Sequence, residues 1–204
     1  MNYLGHLYLS GNDEKIIVGN FIGDYVKGKN KEKYPEKIRE GIILHRQIDT
    51  FTDKHPKVSE AKQFFRKDYG LYSGIIVDFF YDHFLANNWN NYSEQTLRTF
   101  AKRMHAVLLS HFQILPSRVQ GFLPFLIQNR RLESYASVDG IIQSVKIMSN
   151  YTSLPDKTDI AKQTLLEYYD FLAANFLDFM NDIIEFVAFS HNIIIQRPNI
   201  IGGI

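Results

Sequence analysis

Along almost the whole chain apolar residues return every three or four positions and rarely alternate strictly with polar ones, a pattern that predicts an all-α protein. A short apolar helix is expected at residues 2–9, a second at 13–27 after the Gly11-Asn12 turn, a third at 35–54, a fourth at 59–67 and a fifth at 72–88. Further helices are expected at 93–111, across the Pro-interrupted stretch 116–129, at 139–148, and as one long element over 158–191. The breaks around Asn30 and at 151–158 are too short to act as linkers, so residues 1–204 are expected to form a single-domain helical bundle. The tail IQRPNIIGGI, residues 195–204, has Pro, paired Gly and no polar counter-face, and is expected to dock loosely or fray.

Two of these helices carry charge where the pattern demands oil. In SGIIVDFFYDHFLANNW the residues are apolar on every side, the mark of a buried helix, yet Asp78, Asp82 and His83 lie inside it. An ionised carboxylate removed from water costs roughly several kcal/mol unless it is paired or bound to a metal. In GIILHRQIDTFTDKHP the apolar arc is Ile38, Ile42, Leu44, Ile48 and Phe51, and His45 and Asp49 fall within it, one turn apart. Asp53 sits at the border of that arc, and His55 precedes the proline that should end the helix. Two inward helices, each with an acid four residues from a second ligand-type group, are the parts from which metal sites in bundles are built. His83 is the weaker member, lying about 140° around the helix from Asp78. Asp24 follows Asn20 by one turn in GNFIGDYVKG, near a helix end whose dipole disfavours an anion, and a metal would explain its placement. His6 sits in the apolar run LGHLYL. Taken singly, each of these has an ordinary reading as a core histidine on a carbonyl or an acid in a local ion pair; taken together they point to a bound cation. His105, His111 and His191 have no acidic companion at helical spacing and are read as structural.

Composition narrows the chemistry. An apolar content of 45% supports one sizeable core, and a net charge of +1 excludes a strongly basic nucleic-acid binder. Cysteine is absent, which removes disulfides, thiolate nucleophiles and zinc fingers and leaves nitrogen and oxygen to hold any metal. Such donors suit Mn²⁺, Mg²⁺ or Fe²⁺, with zinc as a further option. A cation of this kind acidifies bound water and neutralises charge on a phosphoryl group, so phosphoester hydrolysis is the expected reaction. No apolar run approaches the roughly 18 residues of a membrane span, and MNYLGHLYLSGNDE lacks a basic leader; a cytoplasmic protein is expected. One local bias stands out: Lys27, Lys29, Lys31, Lys33, Lys37 and Arg39 face only Glu32 and Glu36 between residues 27 and 39. Its ordinary reading is a solvated loop; its functional reading is a surface that steers an acidic partner.

Four ordered motifs, MNYLGHLYLS, GNFIGDYVKG, GIILHRQIDTFTDKHP and DFFYDHFLANNW, resemble those of the acyl carrier protein phosphodiesterases, closely over the N-terminal half and loosely through QNRRLESYASVDGIIQSVKIMS. The resemblance implies an all-helical fold related to the HD-domain phosphohydrolases. It implies hydrolysis of the phosphodiester between 4′-phosphopantetheine and a serine of holo-acyl carrier protein, with Mn²⁺ preferred. Carried over motif by motif, the active-site set is His6, Asp24, His45, Asp49, Asp53, Asp78, Asp82 and His83, with His6, Asp24 and Asp53 handling protons. The metal would be held by His45, Asp49, Asp78 and Asp82, joined by Asp24 or His83. The sequence departs from the wider pattern in having no His-Asp doublet, only the reversed Asp82-His83. It also has Asn150 after Ser149, where the family resemblance leads one to expect arginine, so phosphate contact falls to another cation, with Arg46, Arg130 and Arg131 as candidates. Two alternatives stay open: hydrolysis of a nucleotide or other small phosphoester, and a non-catalytic binding protein with a structural metal.

Overall fold

Helix starts in this protein are written by their caps. In the computed structural model, which describes residues 1–198, Asp13 accepts the Lys15 and Ile16 amides, Thr96 the Thr99 amide and Ser137 the Gly140 amide, each opening a helix. The helices are α1 (Tyr3–Tyr8), α2 (Glu14–Phe21), α3 (Glu36–Lys54), α4 (Pro56–Tyr69), α5 (Ser73–Asn87), α6 (Leu97–Ser110), α7 (Ser117–Gln128), α8 (Arg131–Ser134), α9 (Val138–Tyr151), α10 (Thr158–Glu167) and α11 (Tyr169–His191). Short 3₁₀ turns join several of them, and no strand occurs among the described residues. The all-α expectation holds.

Several boundaries differ from the sequence pattern for identifiable reasons. The expected helix 13–27 stops at Phe21, and residues Gly23–Tyr25 form a 3₁₀ turn that lies directly on His45. The fourth helix begins at Pro56, where the missing N–H is harmless, and His55 caps it through Nδ1. The sixth starts at Leu97 rather than 93, because Thr96 is the residue that caps it. The single helix expected at 158–191 is two, broken at Tyr168, whose ring packs on Phe64 at 4.3 Å. That break lets α10 lie on α9 while α11 crosses α3, α4 and α5, a division the apolar pattern does not mark. Of the tail, Arg197 is anchored to Asn181 and stacks over Tyr92, so residues up to 198 dock; residues 199–204 lie outside the described region.

Buried apolar side chains from Met1 to Val187 form one continuous cluster. Each fully buried Leu, Ile or Phe in it contributes roughly 1.5–3 kcal/mol relative to exposure. Helix α5 runs through its middle, against α1, α4, α9 and α11. Helices α2 and α3 cross in backbone contact: a Cβ on Gly19 would fall 2.0 Å from the Ile38 carbonyl, and one on Gly41 2.4 Å from that of Ile16. This crossing carries α2 down onto the inward face of α3 and positions the site.

Candidate active site

The α2–α3 crossing places Asn20 between two histidines and gives it control of both. His6 of α1 donates Nδ1–H to the Asn20 side-chain oxygen at 2.9 Å, a direction forced because an amide oxygen can only accept. His45 of α3 donates Nδ1–H to the Asn20 backbone carbonyl at 2.7 Å. Asn20 is itself locked by donating to the His6 carbonyl and to Ser10. Both rings are thereby turned so that Nε2 faces the same point, and they stack at 4.0 Å.

That point is occupied by carboxylates. Asp49 reaches His6 Nε2 and His45 Nε2 at 3.2 Å each, with one oxygen toward each ring, and Asp24 lies 3.3 Å from His45 Nε2. Gly23 makes the Asp24 approach possible, since a Cβ there would overlap the His45 ring at 2.2 Å. The imidazoles are buried while the side chains of Asp49 and Asp24 are 42% and 72% exposed, so nitrogens form the floor and oxygens the rim. Ligand atoms of His6, His45 and Asp49 all fall within 4.8 Å of one another. His45 Nε2, though flanked by two acids, has no partner in hydrogen-bond geometry among the described residues. A buried, preoriented lone pair with carboxylates around it is what a divalent cation requires, so the donor set fits a metal.

Charge coupling is strong here. Burial acts to lower the His45 pKa, but Asp24 and Asp49 outweigh it and raise it to about 9. For His6, burial and the neighbouring His45 charge lower the pKa. Burial works against ionised Asp49, yet His45 and His6 hold its carboxyl well below the usual range; contact with His45 likewise lowers Asp24.

Beyond the cluster opens a cavity of about 500 Å³. Asp24, Asp49, Asp53 and Asp78 all line it, so acids from three segments do converge. Within it, Asp53 pairs with Lys62 at 3.0 Å and Asp78 with the Met1 amino group at 2.8 Å. Asp82 and His83 are not brought to the cluster. Asp82 is wholly buried and accepts the amides of Asn2, Leu4 and Gly5, capping α1 from across the core. Burial pushes its pKa up to about 7, against the pull of the Met1 amino group and those amides. His83 spends Nδ1 on the Tyr135 carbonyl and Nε2 on the Tyr169 hydroxyl. Of the expected cage of His45, Asp49, Asp78 and Asp82, the structure brings together His45 and Asp49, beside His6 and Asp24, leaves Asp78 on the cavity wall and turns Asp82 to the α1 amides.

The basic candidates also divide. Arg46 donates to the Val26 carbonyl, tying down the start of the basic loop. Arg131 is buried against Gln143, Gly140 and Ser144, and Arg130 precedes it in left-handed backbone at φ 47°. None of the three lines the cavity; Lys62 and Arg66 of α4 do. Lys37 and Arg39 pair with Glu40 and Glu32, whereas Lys27, Lys29, Lys31 and Lys33 have no ion pair among the described residues. Sequence reasoning passed over Asn20, Lys62 and Arg66. For Asn20 a signal existed, a buried amide one turn before Asp24; for the α4 cations none did, because they lie on an ordinary amphipathic helix.

Comparison with known proteins shows the family. The chain matches the family "Acyl carrier protein phosphodiesterase" over residues 1–183. It is 36% identical over 151 residues to the acyl carrier protein phosphodiesterase of Yersinia pestis, covering 74% of this chain and 78% of the relative. It is 32% identical over 180 residues to those of Enterobacter sp. (strain 638) and Salmonella agona (strain SL483), covering 88% of this chain and 93% of each relative. No solved structure matches the chain, and the kinship to HD-domain phosphohydrolases rests on the family resemblance alone. With matching sequence over nearly its full length, the chain belongs to the acyl carrier protein phosphodiesterase family.

Proposed function

We propose that the protein is a metal-dependent phosphodiesterase that releases 4′-phosphopantetheine from holo-acyl carrier protein, acting in the cytoplasm. The observation that carries the reading is the pair of buried imidazoles whose Nε2 atoms Asn20 turns onto Asp49, a carboxylate that lines an open cavity. His6, His45 and Asp49 would hold the cation, with Asp24 as the neighbouring oxygen donor; Mn²⁺ is the ion proposed, Mg²⁺ or Fe²⁺ the alternatives. When bound, such a cation acidifies water and offsets charge building on the phosphoryl oxygens.

The chain's own groups supply the rest. Exposed Asp24, at the rim and held ionised by His45, is placed to take the proton of the attacking water. Water adds to phosphorus, the bond from phosphorus to the carrier serine oxygen breaks, and that oxygen takes a proton from solvent while Asp24 returns its own to solvent. Asp53 and Asp78 are neutralised by Lys62 and Met1, which limits repulsion of a phosphate entering the cavity. The unpaired Lys27, Lys29, Lys31 and Lys33, in the loop that directly follows Asp24, form with Lys37 and Arg39 a basic surface for an acidic carrier protein. The test is incubation of the purified protein with holo-acyl carrier protein and Mn²⁺, read by gel shift to the apo form, beside a nucleotide panel. Apo-carrier formation is expected; turnover of nucleotides without it would favour a small phosphoester, and turnover of neither a structural metal.

A further inference from the structure

The cavity carries both signs of charge. Asp24, Asp49 and Asp78 line it together with the residues of the α4–α5 corner. There Arg66 lines the cavity, is exposed and has no ion-pair or hydrogen-bond partner among the described residues. Lys62 lies across the first turn of α5, since a Cβ on Gly74 would meet its Cε at 3.1 Å and its Nζ at 3.5 Å. Helix α5 opens onto the cavity through Ser73, Gly74 and Ile75, with no side-chain cap and no acidic residue in its first turn. A lysine over a helix N-terminus opposes the helix dipole, and a second cation beside it compounds the positive charge. Asp53 balances one of these charges only. Thr52 lines the same cavity, is 3% exposed, and its hydroxyl has no hydrogen-bond partner among the described residues. A buried hydroxyl, two cations of which Arg66 is unpaired among the described residues, and a helix start with no side-chain cap, whose Ser73 amide alone is taken by the Gly70 carbonyl, are the elements of an anion site.

We propose that Lys62, Arg66 and the first turn of α5 grip the phosphoryl group of the substrate in the cavity that Asp24 and Asp49 also line. The corner would fix the non-bridging oxygens so that the phosphorus faces the cluster, a positioning role that Arg46, Arg130 and Arg131 do not have the location to fill. The assignment of the anion as a phosphodiester rests on the function proposed above; the existence of the anion site does not.

The two are separated by titrating inorganic phosphate into the full-length, metal-free protein by calorimetry. Wild type should bind, and Arg66→Ala should weaken binding at least about tenfold, the loss expected for one charge-assisted hydrogen bond. Lys62→Ala should do likewise and Lys62→Arg should restore part of the affinity, while Arg98→Ala, an exposed α6 cation that does not line the cavity, should leave phosphate binding unchanged. Circular dichroism checks that each variant folds. Wild-type affinity in the Lys62→Ala/Arg66→Ala double variant, or no phosphate binding by wild type, would overturn the proposal. With Mn²⁺ present, Arg66→Ala should raise KM for holo-carrier and for bis(p-nitrophenyl) phosphate alike. A rise for the carrier alone would mean that Arg66 grips carrier carboxylates, and would overturn the phosphoryl assignment. If wild type hydrolyses nothing, the phosphodiesterase reading fails while the phosphate titration still decides the corner.

Discussion

His45-Asp49 on α3 and Asp82-His83 on α5 are both acid–imidazole pairs, with three of the four side chains buried and only Asp49 half-exposed, and they meet opposite fates. In the first, the His45 ring has Nδ1 fixed by the Asn20 carbonyl and Nε2 left facing Asp49 and Asp24, which line the cavity. In the second, Asp82 is saturated by three backbone amides and both His83 nitrogens are engaged, one by a carbonyl and one by a hydroxyl. Burial alone does not make a ligand. What distinguishes the pairs is whether a ring nitrogen remains after the fold has taken its hydrogen bonds, and whether the carboxylates around it line open space, as Asp49 and Asp24 do.

The comparison predicts a graded series of effects on metal uptake. His45→Ala or Asp49→Ala removes a donor, and phosphodiesterase activity should fall by at least about 10³-fold with metal lost from the purified protein while helix content stays. Retention of Mn²⁺ by either variant, measured by elemental analysis, would undo the assignment of the cluster. Asn20→Ala leaves the donors present but frees both rings to turn; Mn²⁺ affinity should drop about 10–100-fold, the usual cost of losing an outer-shell partner. Calorimetric titration would show it.

Metal affinity should also depend on pH through His45. Its pKa is raised to about 9, so in metal-free protein at neutral pH a proton sits where the cation must go. Binding releases that proton, and affinity should climb roughly tenfold per pH unit below about 9 and level off above it. A flat profile between pH 6 and 8 would mean that His45 is not displaced. At the small end stand the α5 residues. His83→Ala should cost about 1–3 kcal/mol of stability by stranding the Tyr135 carbonyl, with Mn²⁺ stoichiometry unchanged. Asp82→Ala should cost about 2–4 kcal/mol by orphaning amides at the start of α1, and should disturb metal affinity only through the placement of His6. Urea denaturation beside metal analysis separates the two readouts.

Most of the helical layout was legible from periodicity because burial of an apolar stripe is a local repeat: α3 and α5 come out within a residue or two of expectation. The break at Tyr168 and the early end of α2 were not, since both answer to neighbours far along the chain, Phe64 in one case and His45 in the other. Among site residues, the inward placement of His45 and Asp49 follows from their angle on α3. Placing Asp78 and Asp82 in one cage was a reasonable inference from spacing that the fold divides, sending one to the cavity and the other to the α1 amides.

By itself the chain's order of residues determined that acids and imidazoles would lie on inward helix faces, because side-chain direction along a helix is set by a fixed rotation per residue. Which of them meet, which are consumed by amides and carbonyls, and which leave a lone pair open was decided only by how the helices cross. The Gly19–Gly41 contact that lowers Asn20 onto His45 and the packing of α1 against α5 are events between segments distant in sequence, and no local repeat encodes them.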